Sequence, residues 1–133
     1  MKKLICVAVF ILSMIGCGSS SDNYKYYERI VIEKDGSVSL SGEIVDQNAM
    51  PTKYHKVYFK KDGRVDKEHF MTSGDVKRSS AYLYDDNGKV IEVRHFENKK
   101  YNGVSRYVYG TDGNIEKEMV FDKELNFQFS KKL

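Results

Sequence analysis

Four glycines recur along this chain at a nearly constant interval, and Asp or Asn precedes each of them. They are Gly36, Gly63, Gly88 and Gly113, separated by 27, 25 and 25 residues. Two residues after each glycine, and four, five and six residues before it, the side chain is always aliphatic or aromatic. Self-similarity at a fixed period indicates an architecture built from stacked copies of one unit.

The segment around Gly88 indicates that this unit is a β-hairpin. Two apolar-rich runs, 82–84 and 90–93, flank the sequence Asp86-Asn87-Gly88. A three-residue hairpin loop ends in a residue of left-handed conformation, which glycine adopts without a Cβ clash. An Asp or Asn just before it bonds locally to the backbone. The predicted cross-strand pairs are Asp85 with Lys89, Tyr84 with Val90 on one face, and Leu83 with Ile91 on the other.

The rest of the chain from residue 24 onwards also consists of strand-like segments. About nine strand-like segments follow one another, and no helical stripe interrupts them. The longest predicted connection is Asp46–Lys53, which contains the only proline. We therefore predict an all-β domain over residues 24–133, an antiparallel meander of about four repeated β-hairpins. It would form either a single twisted sheet or a partly curled barrel.

The N-terminus has a different composition. Lys2 and Lys3 precede an apolar segment, Leu4–Ile15, and Gly16-Cys17 follows it. Such a segment is too short to span a hydrocarbon core of ~30 Å and is typical of a signal peptide. We predict a helical signal segment over residues 1–16. An ordinary cleaved signal followed by a chance cysteine is the alternative to the interpretation given next.

The small residue directly before Cys17 resembles the lipobox of bacterial lipoproteins. That resemblance implies that Cys17 becomes the first mature residue and carries the lipid, with residues 17–23 as the acylated cysteine and a flexible tether. It further implies a protein anchored in the lipid bilayer of the bacterial cell envelope. Gly18 is not the aspartate that retains such proteins on the inner membrane, which favours the outer membrane in a Gram-negative cell.

Charge and cysteine content narrow the function classes. The net charge of the chain is +3, and it falls to +1 without Lys2 and Lys3. This balance excludes an electrostatic nucleic-acid binder. Cys6 lies in the predicted signal, so the mature domain has no thiol for a disulfide or a cysteine metal site.

Two repeat families share local patterns with this chain. Tyr82-Leu83-Tyr84-Asp85, with Gly88 three places on, resembles the YD repeat of Rhs-type proteins. Asn98–Val104, followed by Tyr107-Val108-Tyr109 and Gly113, resembles the MORN-variant repeats of small bacterial proteins, including antitoxin-like and immunity-like ones. Both resemblances imply arrays of β-hairpins that present a surface, and neither implies an active site.

No catalytic or metal-binding pattern is present in the sequence. The three histidines, His55, His69 and His95, fall at different offsets from their glycines and lack metal-ligand spacing, which favours ordinary strand residues. Asp85–Gly88 is interpreted as a turn, because no glutamate closes a twelve-residue calcium loop. Ser79 and Ser80 lack the context of a catalytic serine. We therefore predict a protein that is not an enzyme and uses no metal or cofactor.

Strand alternation suggests a binding surface on one face of the sheet. One predicted face is the core, and the other mixes apolar with charged residues and so can stay exposed. The apolar members of the second face form the predicted binding surface: Tyr58, Leu83, Ile91, Val93 and Val108. Its expected partner is a protein, an envelope polymer or a second copy of the chain. The alternatives are an immunity or antitoxin-like protein that neutralises a toxin, and a structural envelope lipoprotein without a discrete ligand.

Overall fold

The computed structural model describes residues 23–133, so the predicted signal segment and Cys17 lie outside the described residues. The described residues form nine strands: β1 Tyr24–Ile32, β2 Val38–Glu43, β3 Lys53–Phe59, β4 Val65–Thr72, β5 Asp75–Tyr84, β6 Val90–Glu97, β7 Lys100–Tyr109, β8 Ile115–Asp122 and β9 Phe127–Lys132. The only helical segment among them is the 3-10 turn Gln47–Ala49. None of these residues belongs to a helix long and apolar enough to cross a membrane. The predicted all-β class is confirmed.

All nine strands belong to one antiparallel sheet with the order β2-β1-β3-β4-β5-β6-β7-β8-β9. From β3 onwards each strand pairs with the next, as predicted for a meander. The first hairpin differs, because β1 lies between β2 and β3 and the connection 44–52 has to pass β1. The sheet does not close, and β2 and β9 are its edges.

The four glycine turns share one hydrogen-bond pattern. In the third turn the N–H of Asp85 donates to the carbonyl of Lys89 at 2.8 Å, and the N–H of Gly88 donates to the carbonyl of Asp85 at 3.0 Å. Gly88 has a φ of 82°, in the left-handed region that favours glycine. The same two bonds close the turns at Gly36, Gly63 and Gly113. The predicted turn is therefore confirmed.

A β-bulge follows the third turn and changes the predicted register. Tyr84 pairs with Val90 as predicted, but Leu83 pairs with Glu92, which leaves Ile91 as the extra residue of the bulge. A bulge places two residues opposite one and increases the local twist. The hairpins β3–β4 and β7–β8 have a register shift at the same place, with Asp66 and Glu116 as the extra residues.

The bulge moves Val93 to the face opposite the predicted one. Val93 pairs with Tyr82, is 3% exposed and belongs to the hydrophobic core. Strict alternation of side chains along β6, counted from Ile91, predicts that Val93 lies on the exposed face with Leu83. This prediction is wrong. The physical reason is the extra residue, which shifts the two-residue period of β6 by one. We call the face that carries Tyr82 and Val93 the inner face, and the opposite one the outer face.

The first hairpin folds over the inner face. Its tip accepts two hydrogen bonds from distant strands: the N–H of Val90 donates to the carbonyl of Gly36 at 2.9 Å, and that of Ile115 to the carbonyl of Lys34 at 2.8 Å. β1 and β8 are six places apart in the strand order, which would separate them by ~29 Å in a flat sheet with strands ~4.8 Å apart. The sheet is therefore strongly curled around this hairpin.

The curled sheet and the first hairpin enclose the core. Ile30, Ile32, Val38 and Leu40 of the hairpin pack against a buried cluster whose members are Tyr27, Val57, Val65, Tyr82, Val90 and Val93. A sheet has to bury its apolar face against a second layer. In the described part of the chain, the first hairpin provides that layer.

Candidate functional site

A cleft runs beside β1, between the first hairpin and the inner face of the sheet. Its volume is about 770 Å³, within the range of small-molecule sites. Ile30 and Ile32 line it from the hairpin, and Ile115 and Leu133 contribute apolar surface from β8 and the end of the chain. The other lining residues are Glu33, Lys34, His55, Glu68, Arg78, Ser80, Tyr82, His95, Tyr107 and Glu118.

The floor of the cleft is a row of polar side chains on neighbouring strands. Glu68 pairs with Ser80 across β4 and β5, and Ser80 pairs with His95 across β5 and β6. Glu68 is only 5% exposed and Ser80 only 8%. Burial of polar groups costs free energy unless they are hydrogen-bonded. An inner face that served packing alone would be apolar here, as it is at Val57.

Neighbouring side chains hold the polar groups of the cleft in place. The Nδ1 of His55 lies 2.8 Å from Oε2 of Glu68, and the Nε2 of His95 lies 3.0 Å from Oγ of Ser105. The hydroxyl of Tyr107 donates to Oε2 of Glu118 at 3.0 Å. Every buried side-chain nitrogen or oxygen in residues 23–133 has such a partner. These polar groups of the cleft are therefore held in fixed positions by hydrogen bonds.

Burial sets the protonation states in the cleft. It lowers the pKa of His95, opposed by the charge of Glu118 and assisted by that of Arg78. The His95 ring is therefore neutral near pH 7, with one nitrogen that donates and one that accepts. Burial also raises the pKa of Tyr82 and Tyr107, with Glu68 and Glu118 adding to the two shifts. Both phenols keep their protons and act as donors.

The two Ser–His contacts do not form a catalytic triad. Ser105 is 3% exposed and lies outside the lining of the cleft, so a substrate in the cleft has no access to its hydroxyl. His69 lies 2.6 Å from Oγ of Ser79, on the outer face. Within residues 23–133, neither imidazole has a carboxylate hydrogen-bonded to its second nitrogen, as a triad requires. The described residues also hold no group of three or more His, Cys, Asp or Glu side chains that could bind a metal ion.

The predicted binding surface is divided by charged side chains. Tyr58 packs against Tyr24 with ring centroids 5.6 Å apart, and the Nζ of Lys67 lies 4.8 Å from the Tyr58 centroid. Leu83 and Val108 are half-buried, whereas Ile91 is 40% exposed at the bulge. Because Val93 is buried on the inner face, the five predicted residues do not share one surface.

An ion-pair network occupies the middle of the outer face. Glu92 accepts a hydrogen bond from Nε of Arg94 at 2.8 Å and another from Nε of Arg106 at 3.0 Å. Burial by itself would raise the pKa of Glu92, but these two hydrogen bonds and the arginine charges lower it. Such a network of paired charges is typical of a solvated face.

The residues that sequence reasoning passed over are those of the cleft. His55 and His95 were expected to be ordinary strand residues, and the structure places both in the cleft and His69 on the outer face. Glu68 and Glu118 share one offset, five residues after Gly63 and Gly113. That shared acidic offset, three residues after an apolar one, is the signal that could have revealed them.

Comparison of the chain with protein-family models finds no match. Comparisons with curated proteins and with solved structures find no match either. The similarity to YD and MORN-variant repeats therefore rests on the sequence patterns described above.

Proposed function

We propose that this protein is a lipid-anchored, non-catalytic binding protein of the bacterial cell envelope that holds a small polar ligand in the inner-face cleft. The observation that carries the proposal is the row formed by the buried Glu68 and Ser80 and the half-buried His95, opposite the apolar wall formed by Ile30 and Ile32. A few convergent polar groups among apolar walls are the usual composition of a ligand site. Gly16-Cys17 supports the anchor.

The cleft is a better binding site than the outer face. On the outer face the carboxylate of Glu92 already has two arginine partners, and Tyr58 is already covered by lysine side chains. A partner there would have to replace interactions that already exist. Several polar side chains of the cleft also have hydrogen-bond partners, but they line a volume of about 770 Å³ that a small ligand can occupy.

The three histidines provide a test of the cleft with an internal control. We expect that small molecules extracted from the cell envelope will shift the imidazole NMR resonances of His55 and His95 in the purified lipidated chain. The His69 resonances should stay in place, because that ring lies on the outer face. Unchanged resonances for all three rings, or a shift at His69 alone, would contradict binding in the cleft.

The anchor is tested separately. We expect Cys17→Ala to leave an unlipidated precursor and to remove the mature protein from the membrane fraction, because the thiol that accepts the lipid is gone. The measurement is incorporation of labelled fatty acid together with membrane fractionation. Cys6→Ala is the matched control, since this cysteine lies inside the predicted signal and should leave lipidation unchanged. Equal labelling of Cys17→Ala and the unmodified chain would refute the anchor.

A further inference from the structure

We propose that the ligand is a primary ammonium compound with an apolar body, whose three N–H groups donate to side-chain oxygens of Glu68, Ser80 and Tyr82. This inference rests on the proposed function, because it names the ligand class of the same cleft. All three residues line the cleft, on the neighbouring strands β4 and β5. They are 5%, 8% and 7% exposed, so each is more than nine-tenths buried.

These three residues have polar atoms without a partner in the described part of the chain. Within residues 23–133, the hydroxyls of Ser80 and Tyr82 take part in no hydrogen bond, and neither does Oε1 of Glu68, whose Oε2 lies 2.8 Å from Nδ1 of His55. Every buried side-chain oxygen in this range does have a partner. The three oxygens are therefore not sealed inside the core, and the cleft is the space that their residues line.

The positions of Glu68 and Ser80 suit an ammonium group between them. The two residues are direct cross-strand partners on the inner face. Such partners have Cβ atoms ~4.5–5.5 Å apart. Oxygens that accept from one tetrahedral ammonium at N···O distances of ~2.8 Å lie roughly 4.5 Å from each other. One ammonium can therefore contact both side chains at once.

Tyr82 provides the third oxygen. It follows Ser80 by two residues along β5, so both side chains lie on the same face. Burial, and after it the charge of Glu68, raises the pKa of the Tyr82 phenol, which indicates that its hydroxyl is within electrostatic range of that carboxylate. The oxygen of a protonated phenol still accepts hydrogen bonds. Three acceptors match the three donors of a primary ammonium.

The charges of the cleft favour a cation. Glu68 is buried and Glu118 is half-buried, whereas the cationic side chains Lys34 and Arg78 are exposed. Charges in water are screened far more than charges in the interior. Even with a protonated His55, the interior of the cleft has one more carboxylate than it has cations. A cationic ligand therefore gains more from the interior than an anionic one.

The apolar wall determines the rest of the ligand. Ile30 and Ile32 line the cleft from the first hairpin, and Ile115 adds apolar surface from β8. Removal of hydrocarbon from water against such a wall is favourable, whereas a second polar group there would lose its water without a partner. A free amine with a hydrocarbon body fits this wall better than the ethanolamine headgroup of a lipid, in which a phosphate follows the ammonium after two carbons.

The test is an NMR titration of the imidazole resonances of the purified lipidated chain with butylammonium, butyltrimethylammonium and butan-1-ol. We expect butylammonium to shift His55, because that ring contacts Glu68, and to leave His69 in place. The trimethyl compound keeps the charge and lacks N–H donors, and the alcohol lacks the charge. Each should bind roughly tenfold to a hundredfold more weakly, the factor expected for hydrogen bonds to a charged group.

Variants assign the three oxygens. Glu68→Gln keeps the shape and a partner for His55, and it should weaken butylammonium binding roughly tenfold to a hundredfold. Ser80→Ala and Tyr82→Phe each remove one hydroxyl and should weaken it about threefold to tenfold. Glu92→Gln is the matched control, because this carboxylate also has hydrogen-bond partners but lies on the outer face, so binding should be unchanged.

Phosphoethanolamine distinguishes the two sources of an ammonium group. We expect it to bind more weakly than butylammonium, as the apolar wall requires of a free amine. Tighter binding of phosphoethanolamine that is still lost in Glu68→Gln would assign the same three oxygens to the headgroup of a lipid.

The inference is overturned if butylammonium does not shift His55, if the trimethyl compound or potassium chloride shifts it equally, or if Glu68→Gln binds as tightly as the unmodified chain. It is also overturned if neither hydroxyl deletion weakens binding. Envelope small molecules that shift His55 and His95 without any response to butylammonium would overturn the ammonium ligand alone and leave the proposed function intact. Absence of both responses would overturn both.

Discussion

Val93→Asp is expected to unfold the domain, whereas Ile91→Asp should leave it folded. Val93 is 3% exposed and lies in the core cluster, so the new carboxylate would be buried without a partner. We expect a loss of about 4 kcal/mol or more, a large fraction of the roughly 5–15 kcal/mol that stabilises a typical domain. Ile91 is 40% exposed at the bulge, where a carboxylate stays in water and the cost should be below about 1 kcal/mol.

Circular dichroism during thermal and urea unfolding measures both free energies. Val93→Thr is the control for shape, because threonine has the outline of valine and introduces a hydroxyl instead of a charge. It should fall between the unmodified chain and Val93→Asp. Equal stability of the two aspartate variants would mean that Ile91 and Val93 share one face, as strict alternation predicts, and that the bulge is misplaced.

The turns and the strand type could be predicted because they depend on short-range chemistry. An Asp or Asn followed by Gly between apolar runs specifies a three-residue loop within a few residues of sequence. Gly88 and its hydrogen bonds show that this local reasoning holds in the folded chain. The pairing of Tyr84 with Val90 follows directly from the turn.

The faces beyond the second, third and fourth turns could not be predicted by alternation, because a bulge after each of them adds one residue that the turn chemistry does not reveal. A weak signal was nevertheless present in β6. Val90 and Val93 are both apolar and three residues apart, a spacing that an unbroken strand places on opposite faces. In the hairpins at Gly63 and Gly113 the residue that corresponds to Val93 is Glu68 or Glu118. The apolar pair with three-residue spacing is therefore absent from those two hairpins.

The cleft depends on a long-range feature that no local pattern encodes. His55 and His95 share the cleft because the sheet curls and the first hairpin crosses its inner face. The sequence gives that hairpin the same turn as the others, and nothing in the turn indicates that it folds over the sheet. The hydrogen bonds that hold it there run from Val90 to Gly36 and from Ile115 to Lys34. Both join backbone groups, so they do not require particular side chains that a sequence pattern could reveal.

Gly36→Ala is expected to destabilise the chain more than Gly63→Ala, although the two glycines occupy equivalent turns. Their φ angles are 86° and 89°, so alanine in this left-handed region costs about 1–2 kcal/mol at either position. A Cβ at Gly63 would meet nothing within 4 Å. A Cβ at Gly36 would lie 2.9 Å from Cε1 and Cζ of Tyr109, whose hydroxyl donates to the carbonyl of Val90.

Relief of that contact requires either the tyrosine or the hairpin tip to move. Movement of the ring sacrifices the hydrogen bond to Val90, and movement of the tip sacrifices the bonds at Gly36 and Lys34, each worth ~1 kcal/mol. We therefore expect Gly36→Ala to cost about 1–2 kcal/mol more than Gly63→Ala in urea unfolding, because the chain takes the less costly of these movements. Because the hairpin forms one wall of the cleft, Gly36→Ala should also weaken the ligand-induced shifts of His55 and His95, which Gly63→Ala should preserve.

The double variant Gly36→Ala/Tyr109→Leu identifies the source of the effect. Leucine removes the ring that a Cβ at Gly36 would strike, so the two substitutions together should cost less than the sum of their separate costs. Residues in direct contact typically give such coupling energies of about 0.5–3 kcal/mol. Additive costs, or equal stabilities of Gly36→Ala and Gly63→Ala, would mean that the first hairpin does not rest on Tyr109. The cleft would then lack its wall, and a ligand would have to bind elsewhere.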